Sequence, residues 1–173
     1  MNVTPIAHRA FISIAFIVLA TILSIGFGQW VKTGTLPFKA MMGFSPNQWQ
    51  FMRVWVNVAL AIGAIVPLVM LVVLWDRPIV RHFLASYLVV LVVQLASEVS
   101  LSRWFVKSVF VPIGTLYTGF RVWQLWEGLH LTVYPQPWFG LLWLMLVFWA
   151  ANLIMLLLMA IPSIWPESNE RSA

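Results

Sequence analysis

The stretch "WFGLLWLMLVFWAANLIMLLLMAI", residues 138–161, determines the class of this protein. It contains no charged residue, and Asn152 is its one strongly polar side chain. A helix of about 20 apolar residues is long enough to cross the roughly 30 Å hydrocarbon core of a bilayer. The segment exceeds that length, so we predict that it is a membrane span.

Three further stretches meet the same criterion, residues 10–28, 54–75 and 83–101. The first has no charge and no cleavage site behind it, so we interpret it as a retained anchor rather than a signal peptide. Ser45, followed by proline and then by Gln48, predicts that the second helix begins before its apolar core. Pro67 predicts a kink inside that helix, because proline removes a backbone donor and crowds the preceding turn.

The composition agrees with a multi-pass integral membrane protein. Hydrophobic residues make up 62% of the chain and charged residues 9%, against about 45–50% and about 25% in soluble domains. The absence of cysteine excludes thiolate catalysis and zinc–thiolate sites. No phosphate-binding loop or long basic run is present, so no nucleic-acid partner is predicted. We expect one transmembrane domain over residues 1–173.

Residues 102–137 separate the last two spans and are both polar and aromatic. On a helical wheel, Arg121, Gln124, Glu127 and His130 cover one half, and an apolar set covers the other. This pattern favours an amphipathic helix at about residues 114–131 that lies in the membrane interface. The predicted fold is therefore an all-α, antiparallel four-helix membrane bundle with one interfacial helix. A fifth span over the same residues is the alternative.

Polar residues of separate segments are predicted to meet at one mouth of the bundle. We call side A the membrane face where the first span begins and side B the opposite face. With four spans, the ends that carry Ser24, Asn57 and Glu98 lie near side B, as does the interfacial helix. Gln94 and Glu98 are four residues apart and share one helix face. That face is expected to point inward, because a carboxylate facing lipid costs a few kcal/mol.

A ligand-binding site at this mouth is the functional hypothesis for these side chains. Glu98 is the one carboxylate inside a predicted span, which indicates a proton carrier, a ligand counter-ion or a general acid. The structural alternative is that Glu98 pairs with a nearby arginine and fastens two helices. No metal site is predicted, because a di-iron bundle needs four glutamates on its helices, and three of the five acidic residues, Asp76, Glu167 and Glu170, fall in a turn and the tail. The candidate ligand-binding residues are Glu98, Arg121, Glu127, His130, Gln94 and Asn57.

Two functions remain open at this stage. The first is a non-catalytic accessory or assembly subunit of a larger membrane complex, which contacts lipids and other subunits and binds a lipid, a pigment or another hydrophobic small molecule. Trp123, Trp126, Trp143 and Trp149 lie away from the span ends and either line a cavity for a flat molecule or pack on a partner. The alternative is a small enzyme or carrier for a lipophilic substrate, with Glu98 as its acid or base. No cofactor is specified by the sequence.

Overall fold

The structure is a computed structural model that describes residues 4–166, with side chains from residue 8 onward. Within these residues every regular element is helical. Four helical stretches are long and apolar enough to cross a membrane, and they run over His8–Lys32, Pro46–Val73, Pro78–Trp104 and Trp138–Ser163. The all-helical class and the four apolar stretches predicted from the sequence are thereby confirmed. The helices are α1 (Thr4–Lys32), α2 (Pro46–Leu60), α3 (Val66–Val73), α4 (Pro78–Trp104), α5 (Phe110–Leu129), α6 (Trp138–Met155) and the short α7 (Ile161–Ser163).

The start of α2 is the capping box predicted from the sequence. The backbone N–H of Gln48 donates to Ser45 Oγ at 3.3 Å, and the backbone N–H of Ser45 donates to Gln48 Oε1 at 2.8 Å. Two amide groups that have no partner inside the helix are satisfied in this way.

Two π-helical turns interrupt the long helices, and each ends two residues before a proline. Ala61–Ile65 separates α2 from α3 and is followed by Pro67, while Leu156–Ala160 separates α6 from α7 and is followed by Pro162. Proline cannot donate a backbone hydrogen bond and crowds the turn before it. The wider turn absorbs that misfit, so the disturbance expected from Pro67 takes the form of a π-helical turn.

Helix α5 packs alongside α4 over most of its length and runs in the opposite direction. Gly128, near the end of α5, lies against the ring of Phe83, near the start of α4. Gly114, near the start of α5, lies beside Glu98 toward the end of α4. These contacts do not confirm the position at the membrane surface that was predicted for this helix.

The predicted orientation of the amphipathic helix is wrong. Arg121 and Gln124 of the polar half are buried together with Leu125 and Leu129 of the apolar half, whereas Trp126 of the apolar half is 50% exposed. The reversal has a physical reason: a polar side chain on a helix packed among apolar helices finds hydrogen-bond partners only on the side facing them. Glu127 and His130 do remain at the surface.

The predicted meeting of all polar residues at side B is also wrong. At the end of the bundle where α1 begins, Arg9 Nη2 lies 3.6 Å from Glu127 Oε2, and Arg77 Nη1 donates to the carbonyl of Val133. The end of α5, with Glu127, and the chain after it, with His130, therefore lie at side A. At the opposite end, the backbone N–H of Lys39 donates to the carbonyl of Ile164 at 2.8 Å.

Tyr134 fastens the segment that follows α5 at side A. Its hydroxyl donates to the carbonyl of Gly128 at 2.9 Å. Burial raises the pKa of Tyr134 to about 12, so the hydroxyl keeps its proton and remains a donor at physiological pH.

The largest apolar core lies between α3, α4, α5 and α6. Its fully buried members include Met70, Leu84, Tyr87, Leu125 and Met145. Helix α1 packs on α4 and α5 around Ala20 and Val90. Helix α3 packs against α4. Helix α2, which lies nearer side B, does not, and it leaves a gap beside α4.

The close contact of α4 and α5 gives a first prediction. Changing Gly128 to Ala should lower the free energy of unfolding by about 1–3 kcal/mol, because the added Cβ would overlap the ring of Phe83. The measurement is equilibrium unfolding in mixed micelles of detergent and sodium dodecyl sulfate.

Gly119→Ala is the matched control, because a Cβ at this position of the same helix meets no atom within 4 Å. It should leave stability unchanged or raise it slightly, since alanine favours helix. Equal losses in the two variants would contradict the close packing of Gly128.

Candidate functional site

Three buried polar side chains form a hydrogen-bonded chain between α4 and α5. Arg121 Nη2 donates to Gln94 Oε1 at 2.5 Å, and Gln94 Nε2 donates to Glu98 Oε1 at 2.5 Å. Gln94 and Glu98 lie one turn apart on α4, on the inward face that was predicted, and the structure confirms that both are buried. The amide of Gln94 therefore connects a cation to a carboxylate, and the two have no direct ion pair.

The cation of Arg121 is also held by aromatic rings. Its Cζ lies 4.3 Å from the centroid of the Trp149 ring and 5.8 Å from that of Tyr87. Trp149 Nε1 donates to the Tyr87 hydroxyl at 2.7 Å, which fixes both rings. A cation over an indole face gains more when water is excluded. Within residues 4–166, Nε and Nη1 of Arg121 have no acceptor.

A second hydrogen-bonded chain links α2, α6 and α5. Trp55 Nε1 donates to Asn152 Oδ1 at 2.6 Å, and Asn152 Nδ2 donates to Thr118 Oγ1 at 3.1 Å. Asn152 stands out in the sequence because it is the single strongly polar residue of an otherwise apolar span. Nothing in the sequence distinguishes Thr118 and Trp55, since threonine and tryptophan are common in such helices.

A cavity of about 130 Å³ lies between the two hydrogen-bonded chains. Trp55 and Trp149 contribute aromatic rings to its wall, and Met52 and Met155 contribute flexible apolar side chains. The polar part of the wall comprises Gln94, Glu98, Thr118, Arg121 and Asn152.

The exposed lining residues indicate that the cavity opens between α2 and α4. Of the residues that line it, Val56 and Leu60 on α2 and Leu95 on α4 are exposed. The opening coincides with the gap beside α4, where α2 contacts α6 through Trp55 rather than packing on α4.

A third polar cluster lies closer to side A. Gln124 Nε2 donates to Ser86 Oγ at 3.3 Å, and Ser86 Oγ lies 3.2 Å from Ser13 Oγ. This cluster joins α5, α4 and α1. Its residues are absent from the lining of the cavity.

The structure brings together three of the six residues predicted to bind a ligand, namely Gln94, Glu98 and Arg121. Glu127 is half-buried at side A, where it pairs with Arg9, and His130 Nδ1 lies 2.7 Å from the carbonyl of Trp126. These two residues are separated from Glu98 because α5 runs opposite to α4.

Asn57 also lies outside the cavity and is exposed on α2. It follows Trp55 by two positions, and two helical steps turn a side chain to the other face of the helix. Ser24 is buried, but its hydroxyl donates to the carbonyl of Ala20 within α1. In the part of the chain that the structure describes, no group of three or more acidic, histidine or cysteine side chains is placed to hold a metal ion.

The chain was compared with protein-family models, with curated proteins and with solved structures, and none of the three comparisons gives a match.

The buried charges give a second prediction. Changing Arg121 to Met should cost about 3–5 kcal/mol of stability, because it leaves Glu98 without its cation in an apolar environment. Combining Arg121→Met with Glu98→Gln should restore part of this loss, with a coupling energy of about 1–3 kcal/mol in a double-mutant cycle. Unfolding in mixed micelles measures each corner of the cycle.

The control cycle uses the pair at side A, Arg9→Met with Glu127→Gln. These side chains are 41% and 46% exposed, so their coupling should be only about 0–1 kcal/mol. Strict additivity of the Arg121 and Glu98 substitutions would show that Gln94 does not couple the two charges.

Proposed function

We propose that the protein is a multi-pass membrane protein that binds a lipophilic molecule from the bilayer in the cavity beside Glu98. One observation carries the proposal: the cavity has a polar inner wall and opens between α2 and α4, among the exposed apolar residues Val56, Leu60 and Leu95. Ligand pockets are typically concave and mostly apolar, with a few polar groups that fix orientation. Lateral access suits a molecule that is dissolved in lipid.

The proposed topology has five crossings, with α5 as the fifth membrane helix. Its contacts with Phe83 at one end of α4 and with Glu98 toward the other support this arrangement. Arg121 and Gln124 then lie inside the bundle rather than in lipid. Side B carries more basic residues than side A in the described chain, which supports a cytoplasmic side B.

Single cysteines test the topology, because the native chain contains none. In sealed vesicles, Val133→Cys should react with a membrane-impermeant maleimide from the same side as Asp76→Cys and from the side opposite to Met41→Cys. Val133 is 87% exposed, so its accessibility depends on topology alone. Labelling of positions 133 and 41 from the same side would support the interfacial helix and four crossings instead.

We further propose that the protein is a non-catalytic accessory or assembly subunit of a larger membrane complex. The exposed faces of Trp123 and Trp126 on α5 and of Trp143 on α6 offer a surface for a neighbouring subunit. Trp126 and Trp143 contact each other edge to face, with ring centroids 6.5 Å apart. Aromatic side chains are enriched in protein interfaces.

A small enzyme or carrier is the second candidate function. The position of Glu98 on the cavity wall favours it, because a carboxylate beside a bound substrate is able to exchange a proton. Glu127 and His130, which were predicted to share a ligand-binding site with Glu98, lie at side A, away from the cavity. Arg121 and Asn152 are the polar groups that share the cavity with Glu98.

Gentle extraction from the native membrane tests the ligand and the partner together. Mass spectrometry of the purified protein should find a bound lipophile, and native sizing should find further subunits. Ala59→Phe should abolish co-purification of the lipophile, because Ala59 lines the cavity and the added ring would fill it.

Ala96→Phe is the control, since Ala96 is exposed on α4 and does not line the cavity. Retention of the lipophile in Ala59→Phe would place it on another surface. A monomer without any lipophile or subunit would contradict both parts of the proposal.

A further inference from the structure

We infer that the cavity accepts a neutral lipophile with a single-ring, hydroxyl-bearing head, such as an alkylphenol, and an apolar tail that leaves between α2 and α4. The inference rests on the proposed function, because it names the class of ligand for the same site. Charge balance, hydrogen-bonding capacity and size each restrict that class.

The charges on the wall favour a neutral head group. Glu98 and Arg121 are the acidic and basic side chains that line the cavity, one of each sign. They are already connected through Gln94. The two charges balance, so the wall carries no net charge to replace the hydration that an ionic head group would lose.

The free hydrogen-bonding positions on the wall match a hydroxyl group. Oε1 of Glu98 already accepts from Gln94, whereas Oε2 receives no hydrogen bond from any residue in the described range. The amide nitrogen of Asn152 has two N–H groups and uses one of them on Thr118. Nε and Nη1 of Arg121 also have no acceptor within residues 4–166. A hydroxyl both donates and accepts, so it is able to donate to Glu98 and to accept from Asn152 or Arg121. A ketone or an ether only accepts, so it would leave Oε2 of Glu98 without a hydrogen bond.

The size and the walls of the cavity favour a head group with one aromatic ring. Its volume is about 130 Å³, and an apolar protein cavity of about 150 Å³ is known to hold a benzene molecule. The indoles of Trp55 and Trp149 at the wall suit stacked or edge-on contact with a flat ring. A longer tail has no space inside and must extend past Leu95 into the bilayer.

A series of probes with the same tail tests the inference on the native protein in lipid nanodiscs. Binding of 4-decylphenol, its methyl ether, decylbenzene, 4-decylbenzoic acid and 4-decylbenzylamine is measured by calorimetry, with empty nanodiscs subtracted. The phenol should bind at least about tenfold more tightly than the ether or the hydrocarbon, as expected for a hydrogen bond to a charged group. This comparison needs no variant.

The variant Glu98→Gln tests whether Glu98 accepts the hydrogen bond of the hydroxyl, because it keeps the size of the side chain and removes its charge. The preference for the phenol over the ether should fall by about fivefold to tenfold. Glu127→Gln is the matched control, because it removes a carboxylate at side A that does not line the cavity. It should leave the preference unchanged.

The outcomes separate the two proposals. If no probe binds more than it does to empty nanodiscs, both the proposed function and the inference are overturned. If the phenol, the ether and the hydrocarbon bind equally, or if the acid or the amine binds more tightly than the phenol, the lipophile site stands and the hydroxyl inference is overturned. An unchanged preference in Glu98→Gln also overturns the assignment of the hydroxyl to Glu98.

Discussion

The burial of Arg121 is the constraint on which the arrangement of the helices depends. A guanidinium in apolar surroundings is tolerated only where hydrogen bonds and countercharge replace its water. Gln94 of α4 supplies the hydrogen bond and the route to Glu98, and Trp149 of α6 supplies an aromatic face. Helix α5 must therefore lie between α4 and α6, with Arg121 pointing inward. The small residues of α5 permit that approach, since Gly128 lies against Phe83 where a larger side chain would collide.

The same constraint explains which features the sequence predicts and which it does not. The apolar stretches follow from composition alone, and the capping box at Ser45 follows from local hydrogen-bonding groups, so both are confirmed. The shared face of Gln94 and Glu98 follows from helical spacing. Helical-wheel analysis of residues 114–131 failed for a different reason. It assumed that polar side chains face water, whereas Arg121 faces other helices; where the solvent is hydrocarbon, the preferred direction of a polar side chain reverses.

The direction of α5 also determines which residues share the candidate site. Proximity along the sequence suggested that Arg121, Glu127 and His130 act together, but nine residues of helix span about 13 Å along its axis. Glu127 and His130 therefore reach side A, while Arg121 faces the cavity. The contributions of Thr118 and Trp55 depend on contacts between helices that are distant in the sequence. No local pattern contains such information, because packing partners are decided by the whole bundle.

The break between α2 and α3 connects the packing to the cavity. Pro67 and the π-helical turn before it let α3 pack on α4, while α2 diverges toward side B. Gly63, inside that turn, lies against the ring of Trp149, so this segment approaches α6 closely next to the ring that covers Arg121. Beyond this contact, the hydrogen bond from Trp55 to Asn152 crosses from α2 to α6 at the cavity. Trp149, whose ring covers Arg121, therefore also borders the cavity. A ligand that hydrogen-bonds to Glu98 would stabilise the folded bundle as well as occupy the site, since binding to the native state alone raises stability by mass action.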